Sequence, residues 1–550
     1  MNIIIYLLLD FFKREKKTTI IIIILSLLIN LFQANGISYI ISIIIENIQK
    51  NKIDEIKKYF MYFILLSIII ILGNSIFKNM QSYLSTKLKP WVSYNLVKIL
   101  MKINKKDMNE NNFTKLFLPI TRISSISFLI FNSIIMYLLP TITFIIPISI
   151  FFLYKNFYIG MIFIIGNILL LLYCINSIHN IIIKNRNYEI HINEHDNKIL
   201  EVLGNFDKII YRAQTDQELK TLLKSSNENK KIGFKYYSHT YNNGTNLTIL
   251  QNMLIIIIIG YLIYLYINKK IDITIFMTFF SILLLYRDKI SILINYIPDF
   301  IDINGAANHI LDNFDKMKIS YKDIINDDNY QRINLEFNKI EFINIDFKYQ
   351  DSDKYLFKDF NMNLDLNNKI IGITGLSGNG KTTFVKLFLG LYKCTNGDIL
   401  IDGIPINKID PDYIRLNITY INQNPKLFDK KIIENVYYAC QDKSICDKNL
   451  EKIMKYEKIK NLYKNIDLNK LAVSSGDNLS GGQRQIINII NGLINPSKIL
   501  ILDEPTNALD PELKKELLQI IKDFKKDKKC IIIISHDKDT YGLFDKNIRI

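Results

Sequence analysis

Cysteine is scarce: five thiols in 550 residues, Cys174, Cys394, Cys440, Cys446 and Cys530, none in C-x-x-C spacing. That scatter argues against a disulfide framework or a zinc site and leaves reduced structural thiols as the expectation. The amino terminus lacks a positive leading region and a small-residue cleavage site, so residues 1–10 are expected to form an interfacial helix rather than a cleaved signal peptide. Acidic residues are outnumbered, with 53 Asp and Glu against 69 Lys and Arg, a net charge of +16. Such an excess suits nucleic acid, but it arises equally from basic loops flanking membrane spans, so the placement of the charges decides. The basic run 525–529 fits a solvated turn before a strand, and no nucleic-acid partner is expected.

Long uncharged runs are abundant. Residues 18–45, 59–77, 123–154, 156–183 and 236–268 form five apolar windows, each near or above the roughly 20 residues that a span needs. A sixth, 273–286, is short but resumes at 290–298 beyond Arg287, Asp288 and Lys289. Six spans are expected, which puts both termini on one side. The first window would run about 42 Å as a helix, longer than the ~30 Å hydrocarbon layer, and should protrude or tilt. Connections 78–122 and 184–235 are long and hold nine and ten Lys or Arg, which places them in the cytoplasm, although Lys50, Lys52, Lys57 and Lys58 crowd the short loop 46–58 as densely. Polar periodic sequence at 199–224 predicts helices that continue past the bilayer and turn back.

From about residue 334 the pattern changes to short strands and amphipathic helices. After the apolar strand 369–374 comes Gly375, Leu376, Ser377, Gly378, Asn379, Gly380, Lys381, Thr382, Thr383, a full phosphate-loop pattern. Glycines let backbone N–H groups turn toward phosphate oxygens, with the positive end of the next helix behind them. Lys381 is expected to reach the β- and γ-phosphates of ATP, and the Thr382 hydroxyl to ligate Mg²⁺. Three further strands end in Gln423, in Asp503 and Glu504, and in His536. In an open parallel sheet ligands bind beyond the carboxyl ends of strands, so these groups should converge. Asp503 is expected to hold Mg²⁺, and Glu504 to polarise the attacking water as general base.

Leu479, Ser480, Gly481, Gly482 and Gln483, with Asp503-Glu504-Pro505-Thr506 and Asn507-Ala508-Leu509-Asp510, closely resemble the signature segments of ABC transporters. The resemblance covers nearly the whole chain and implies a half-size exporter, a multidomain membrane protein. Its expected parts are an all-α six-helix transmembrane domain at 1–315, a linker at 316–333, and an α/β P-loop nucleotide-binding domain with a helical subdomain at 334–550. By resemblance Tyr349 stacks on adenine, Gln423 links the Mg²⁺ site to the membrane domain, and His536 lies near the γ-phosphate. Ser480 and Gly482 would contact ATP held by another cassette, which implies a second copy of the chain or a paralogous half-transporter. Asn507 and Asp537 depart from the commoner Ser and Arg. The chain stops one strand beyond His536, where the family usually continues, which puts cassette stability at that end in question.

The implied activity is ATP-driven export or flipping of a lipid, peptide or amphipathic small molecule by alternating access. The alternative is a membrane ABC ATPase that gates a partner. Soluble ABC ATPases of DNA repair or translation lack spans and are excluded. Asn30, Gln33, Asn132, Asn167, Arg287 and Asp288 are candidates for a substrate pathway, because polar groups at membrane depth face cavities or one another. Snorkelling to the interface is the simpler account of Arg287 and Asp288. His191-Ile192-Asn193-Glu194-His195 fits a zinc-protease pattern, but it lies on a charged extension with no further ligands nearby.

Overall fold

A computed structural model of the chain describes residues 3–105, 113–316, 334–349, 352–376, 378–423, 426–473, 476, 478–507 and 509–550. Most of the expected linker therefore lies outside the described residues, as do Ser377 and Ala508. The chain divides into two compact units, Met1–Ile99 with Asn111–Tyr321, and Leu100–Glu110 with Lys322–Ile550.

The first unit is helical: α1 (Ile3–Arg14), α2 (Lys16–Leu31), α3 (Ser38–Gln49), α4 (Ile53–Asn104), α5 (Phe113–Ser133), α6 (Leu139–Lys155), α7 (Phe157–Gly204), α8 (Phe206–Tyr211), α9 (Thr215–Ile267) and α10 (Ile273–Lys316). The first apolar window is not one regular helix, because a π-helical segment, Phe32–Ile37, joins α2 to α3, and a second, Ile134–Leu138, joins α5 to α6. By length and composition, five helical stretches among the described residues are able to cross a membrane: Lys16–Gln49, Ile53–Lys102, Ile120–Lys155, Phe157–Gly204 and Thr215–Ile267. The sixth expected span is carried by the single helix α10, in which Arg287, Asp288 and Lys289 interrupt the apolar run without breaking the helix. The backbone i→i−4 hydrogen-bond ladder tolerates charged side chains that point outward, so charge masks this helix from hydropathy but not from folding.

The long helices explain the exposed apolar surface. On α4, Ile64, Leu65, Ile68, Ile69, Ile71 and Leu72 all lie open; a continuous apolar face of that kind is untenable in water and natural against lipid. At about 1.5 Å per residue α4, α7 and α9 are each over ~70 Å long, so much of each extends past a ~30 Å hydrocarbon layer. The chain turns between α7 and α9 through α8, where Asn205 and Ala213, the latter with φ 52°, close the connection.

Among the described residues the second unit holds two sheets. One runs β2 (Phe357–Asp365), β1 (Lys339–Phe347), β4 (Asn396–Ile401), β5 (Ile404–Pro405) and is antiparallel, with Ile340 opposite Leu364 and Ile401. The other is parallel, in the order β6 (Ile418–Ile421), β7 (Ile499–Asp503), β8 (Cys530–Ile534), β3 (Lys369–Thr374), β9 (Lys546–Arg549). Its central strands β7 and β8 are buried along their whole length, which is why they read as near-continuous Ile and Leu runs. Alternation still sorts them: Ile499, Ile501, Ile532 and Ile534 face the core shared with the antiparallel sheet, while Leu500, Leu502, Ile531 and Ile533 face the helical layer. That layer comprises α13 (Ile432–Val436), α14 (Lys443–Ile453), α15 (Glu457–Lys464), α16 (Gly481–Ile494) and α17 (Pro511–Phe524); two further helices, α11 (Lys381–Phe388) and α12 (Pro411–Asn417), complete the unit.

One thiol expectation is corrected. Cys440 and Cys446 form a disulfide across the turn where Asp442 caps α14, with Cα atoms 6.6 Å apart, while Cys174, Cys394 and Cys530 remain free. The spacing of six residues hides the pairing, because the cap folds Cys440 back over the first turn of the helix that carries Cys446.

Candidate nucleotide-binding site

The loop after β3 curls through Gly375, Gly378 and Gly380, all with positive φ, and delivers Lys381 as the first residue of α11. At Gly380, φ 92° together with a Cβ position 3.0 Å from Leu356 and Phe357 admits only glycine without strain. Gly375 is closed in differently: a Cβ there would lie 2.2 Å from the Ile550 carbonyl oxygen. β9 backs the loop, with Ile550 N–H donating to Thr374 O at 2.9 Å and the Asn379 amide donating to Ile550 O at 3.2 Å. The Lys381 ammonium donates to the loop's own Gly375 and Leu376 carbonyls, both at 3.0 Å.

The strand ends converge as parallel topology requires. A cleft of about 480 Å³ is lined by Tyr349, Gly375, Gly378, Gly380, Lys381, Thr382, Thr383, Gln423, Asp503, Glu504 and His536, together with Leu356 and Leu376. The Thr382 hydroxyl donates to Asp503 Oδ2 at 3.1 Å, and Tyr420 donates to the same oxygen at 3.0 Å. Burial pushes the Asp503 carboxyl above its ordinary range, while the hydrogen bonds from Tyr420 and Thr382 pull the other way. A hydroxyl, a carboxylate and the amide of Gln423 form an all-oxygen donor set of the kind a hard divalent cation takes, so the residues fit Mg²⁺.

Glu504 follows β7 with φ 50°, a strained value for a side-chain-bearing residue, held by its N–H donating to Ile534 O at 2.9 Å. Its Oε1 lies 2.6 Å from His536 Nδ1, and its Oε2 is buried without a hydrogen-bond partner. Tyr349 sits at the rim, 43% exposed, with its hydroxyl bonded to Thr383 and its ring edge-on to Phe347 and Tyr392. The expected signature residues stand apart. Ser480 caps α16, accepting from Gln483 N–H at 3.2 Å while Gln483 Oε1 accepts from Ser480 N–H, and Ser480, Gly481, Gly482 and Gln483 do not line the cleft.

Some contributors were not read from sequence. Tyr420 reaches Asp503 from the neighbouring strand β6; the available signal was a hydroxyl-bearing ring one residue before the end of a strand that leads to Gln423. Asp537 accepts from Thr506 at 2.9 Å and pairs with Lys514 at 2.6 Å, which gives the acidic residue in that position a structural task. In the zinc-like segment His191 pairs with Glu194 at 3.4 Å and His195 bonds Ser225, and no group able to hold a metal is found among the described residues. The membrane polar residues mostly satisfy one another. Asn30 donates to Thr143 and to Pro140 O, Asn132 accepts from Ser85, Asn167 accepts from Tyr286, and Arg287 pairs with Asp288.

Similarity to known proteins bears on the family and the fold. A family described as ABC transporter matches residues 357–507. ABC transporter B family member 26, chloroplastic, from Arabidopsis thaliana is 34% identical over 211 residues, 38% of this chain but only 30% of that protein's length. Energy-coupling factor transporter ATP-binding protein EcfA1 from Mycoplasma mobile is 33% identical over 216 residues, 39% of this chain and 77% of the relative. A solved bacterial Atm1-family ABC exporter with ATP bound superposes over 98% of this chain and 93% of its own, with a TM-score of 0.77 at 17% identity, a likeness of fold. With a helical membrane-spanning region and an α/β ATP-binding and hydrolysing domain, the chain belongs to the ABC transporter family.

Proposed function

We propose that this chain is half of an ATP-driven exporter or flippase that moves a lipid, peptide or amphipathic small molecule by alternating access, with both termini and the nucleotide domain in the cytoplasm. The observation that carries the catalytic part is Glu504, whose Oε2 is buried, unpartnered and beside His536 in the cleft. A buried carboxylate oxygen without a partner is costly, and an attacking water supplies the missing bond. Glu504 then takes a proton from that water at Oε2, while His536 holds Oε1 and fixes the carboxylate's direction. Thr382, Asp503 and Gln423 would hold Mg²⁺, which when bound neutralises charge on the β- and γ-phosphates. Lys381 turns from its loop carbonyls to phosphate oxygens, and the ring of Tyr349 offers its exposed area to the base.

The reading calls for a second chain. Ser480 and Gly482 lie outside the cleft of their own cassette, so in a dimer they would close the cleft of the other. ATP that bridges two cassettes draws them together, and the difference in ATP affinity between joined and separated states is the free energy available to the membrane helices.

The test is ATP-dependent movement of labelled lipids, peptides and amphiphiles by purified protein in sealed vesicles. Movement of one class that stops without hydrolysable ATP is expected. ATP hydrolysis with no movement in any class would replace export with the gating of a partner.

A further inference from the structure

The helical unit holds a cleft of its own. It measures about 550 Å³ and lies between α7 and α9, lined among others by Lys184 and Asn187 on α7 and by Phe234, Lys235, Tyr236 and His239 on α9. Its level along the helices is informative: the uncharged run of α7 ends at residue 183 and that of α9 begins at residue 236. The cleft therefore sits where two spans pass from hydrocarbon into the charged helical extensions, at the depth of lipid headgroups.

Its chemistry is two-sided. Lys184 and Lys235 are exposed and have no acidic partner among the described residues. His239 contributes a buried Nε2 without a hydrogen-bond partner. The carboxylate of Asp302 is engaged by Tyr236, Tyr237 and Asn185 and does not line the cleft, nor does Glu189. Beside these cationic and donor groups stands the ring of Phe234, 74% exposed, while Tyr236 is buried. Aromatic rings with lysines at a membrane boundary favour a ligand with an anionic head and apolar chains.

We propose that this cleft is a binding site for the phosphate headgroup of an anionic lipid in the leaflet on the side of the helical extensions. The two lysines supply the charge, and His239 Nε2 supplies a directed hydrogen bond. The Phe234 ring covers the first methylenes of the chains. The site rests on the membrane-spanning character of α7 and α9 and not on which substrate is moved.

The full-length protein in detergent is tested by native mass spectrometry with phosphatidylglycerol, with phosphatidylcholine of the same chains, and with inorganic phosphate as competitor. Retention of phosphatidylglycerol but not phosphatidylcholine is expected. Since each basic residue at an anionic surface contributes roughly a fivefold factor, K184Q with K235Q weakens retention roughly 25-fold. His239→Leu, which keeps packing and removes the donor, weakens it several-fold. A control pair on the exposed part of α9, K230Q with K231Q, binds as the parent protein. Unchanged binding in the cleft variants, or equal loss in the control pair, overturns the proposal. Displacement of the lipid by millimolar inorganic phosphate would also overturn it, marking a site for a free anion. Lipid retention needs no ATP, so failure here leaves the ATPase reading standing, and loss of ATP turnover leaves this one standing.

Discussion

The two halves of the molecule differ in where their polar side chains gather. Among the membrane helices, polar side chains find each other: Ser26 and Asn30 with Thr143, Ser42 with Thr278, Asn167 with Tyr286. In the nucleotide domain, polar groups gather at the ends of parallel strands, and one of them, Glu504, keeps an oxygen with no partner. The first pattern ties helices together in a medium that offers no water; the second holds chemistry ready at a cleft. A buried unpartnered oxygen that also lines a cleft, as Glu504 Oε2 does, offers a place for a ligand atom.

The strongest way to break this contrast is Glu504→Gln. Loss of the base should slow ATP hydrolysis by roughly 10³-fold while ATP binding persists, as read by phosphate release and by nucleotide retention. Full turnover in that variant would reduce the orphan oxygen to a packing accident.

Next in size is Gly375→Ala. Its Cβ would meet the Ile550 carbonyl at 2.2 Å, so β9 or the loop must move. A cost of about 2–3 kcal/mol in thermal unfolding is expected, with weakened nucleotide binding. An unshifted melting curve would show that the loop does not depend on β9.

A buried charge within the second unit provides a third test. Lys528 is 3% exposed, donates to the carbonyls of Asn495 and Ser497, and is pushed down to about 8 by burial. Between about pH 8 and the ordinary lysine value of 10.5 the unfolded chain holds the proton and the folded one does not. Stability contributed at this site therefore rises with pH across that window, by at most about 1.4 kcal/mol per unit. Below it, both forms are charged and the slope vanishes. Lys528→Met should lose that slope, so its stability relative to the parent falls as pH climbs from 8 to 10. Parallel pH curves for the two proteins would place the charge in water.

The smallest effect sharpens the membrane side. Asn30→Ala removes the bonds to Thr143 and Pro140 and should cost about 0.6–1 kcal/mol with ATP turnover unchanged. Lost transport at an unchanged melting temperature would instead make Asn30 part of a substrate path.

Sequence disclosed these regions unevenly, for a physical reason. The phosphate loop is a local device, with glycines, lysine and threonine in one run, and the strands ending at Gln423, Asp503 and His536 announce themselves by apolar runs that stop at polar residues. Tyr420, the backing of Gly375 by Ile550 and the positive φ of Glu504 depend on which strands lie side by side, and no single stretch encodes that. The disulfide was hidden because a helix cap, not a spacing rule, brings Cys440 to Cys446. In α10 the triplet Arg287, Asp288, Lys289 lowers the apolar signal although the helix runs through. Substrate was least legible, because lipid-facing composition reports the solvent more than the cargo.

The cap at Ser480 has one further consequence. Its oxygen accepts a hydrogen bond from Gln483 N–H, and both residues are thereby held at the start of α16. A hydroxyl has lone pairs and a hydrogen, and this bond occupies only the former. The atom that fixes the helix within its own chain thus retains a donor for an outside acceptor, aimed before any encounter takes place. Threonine at this position would preserve both duties, alanine neither, and glycine only the turn.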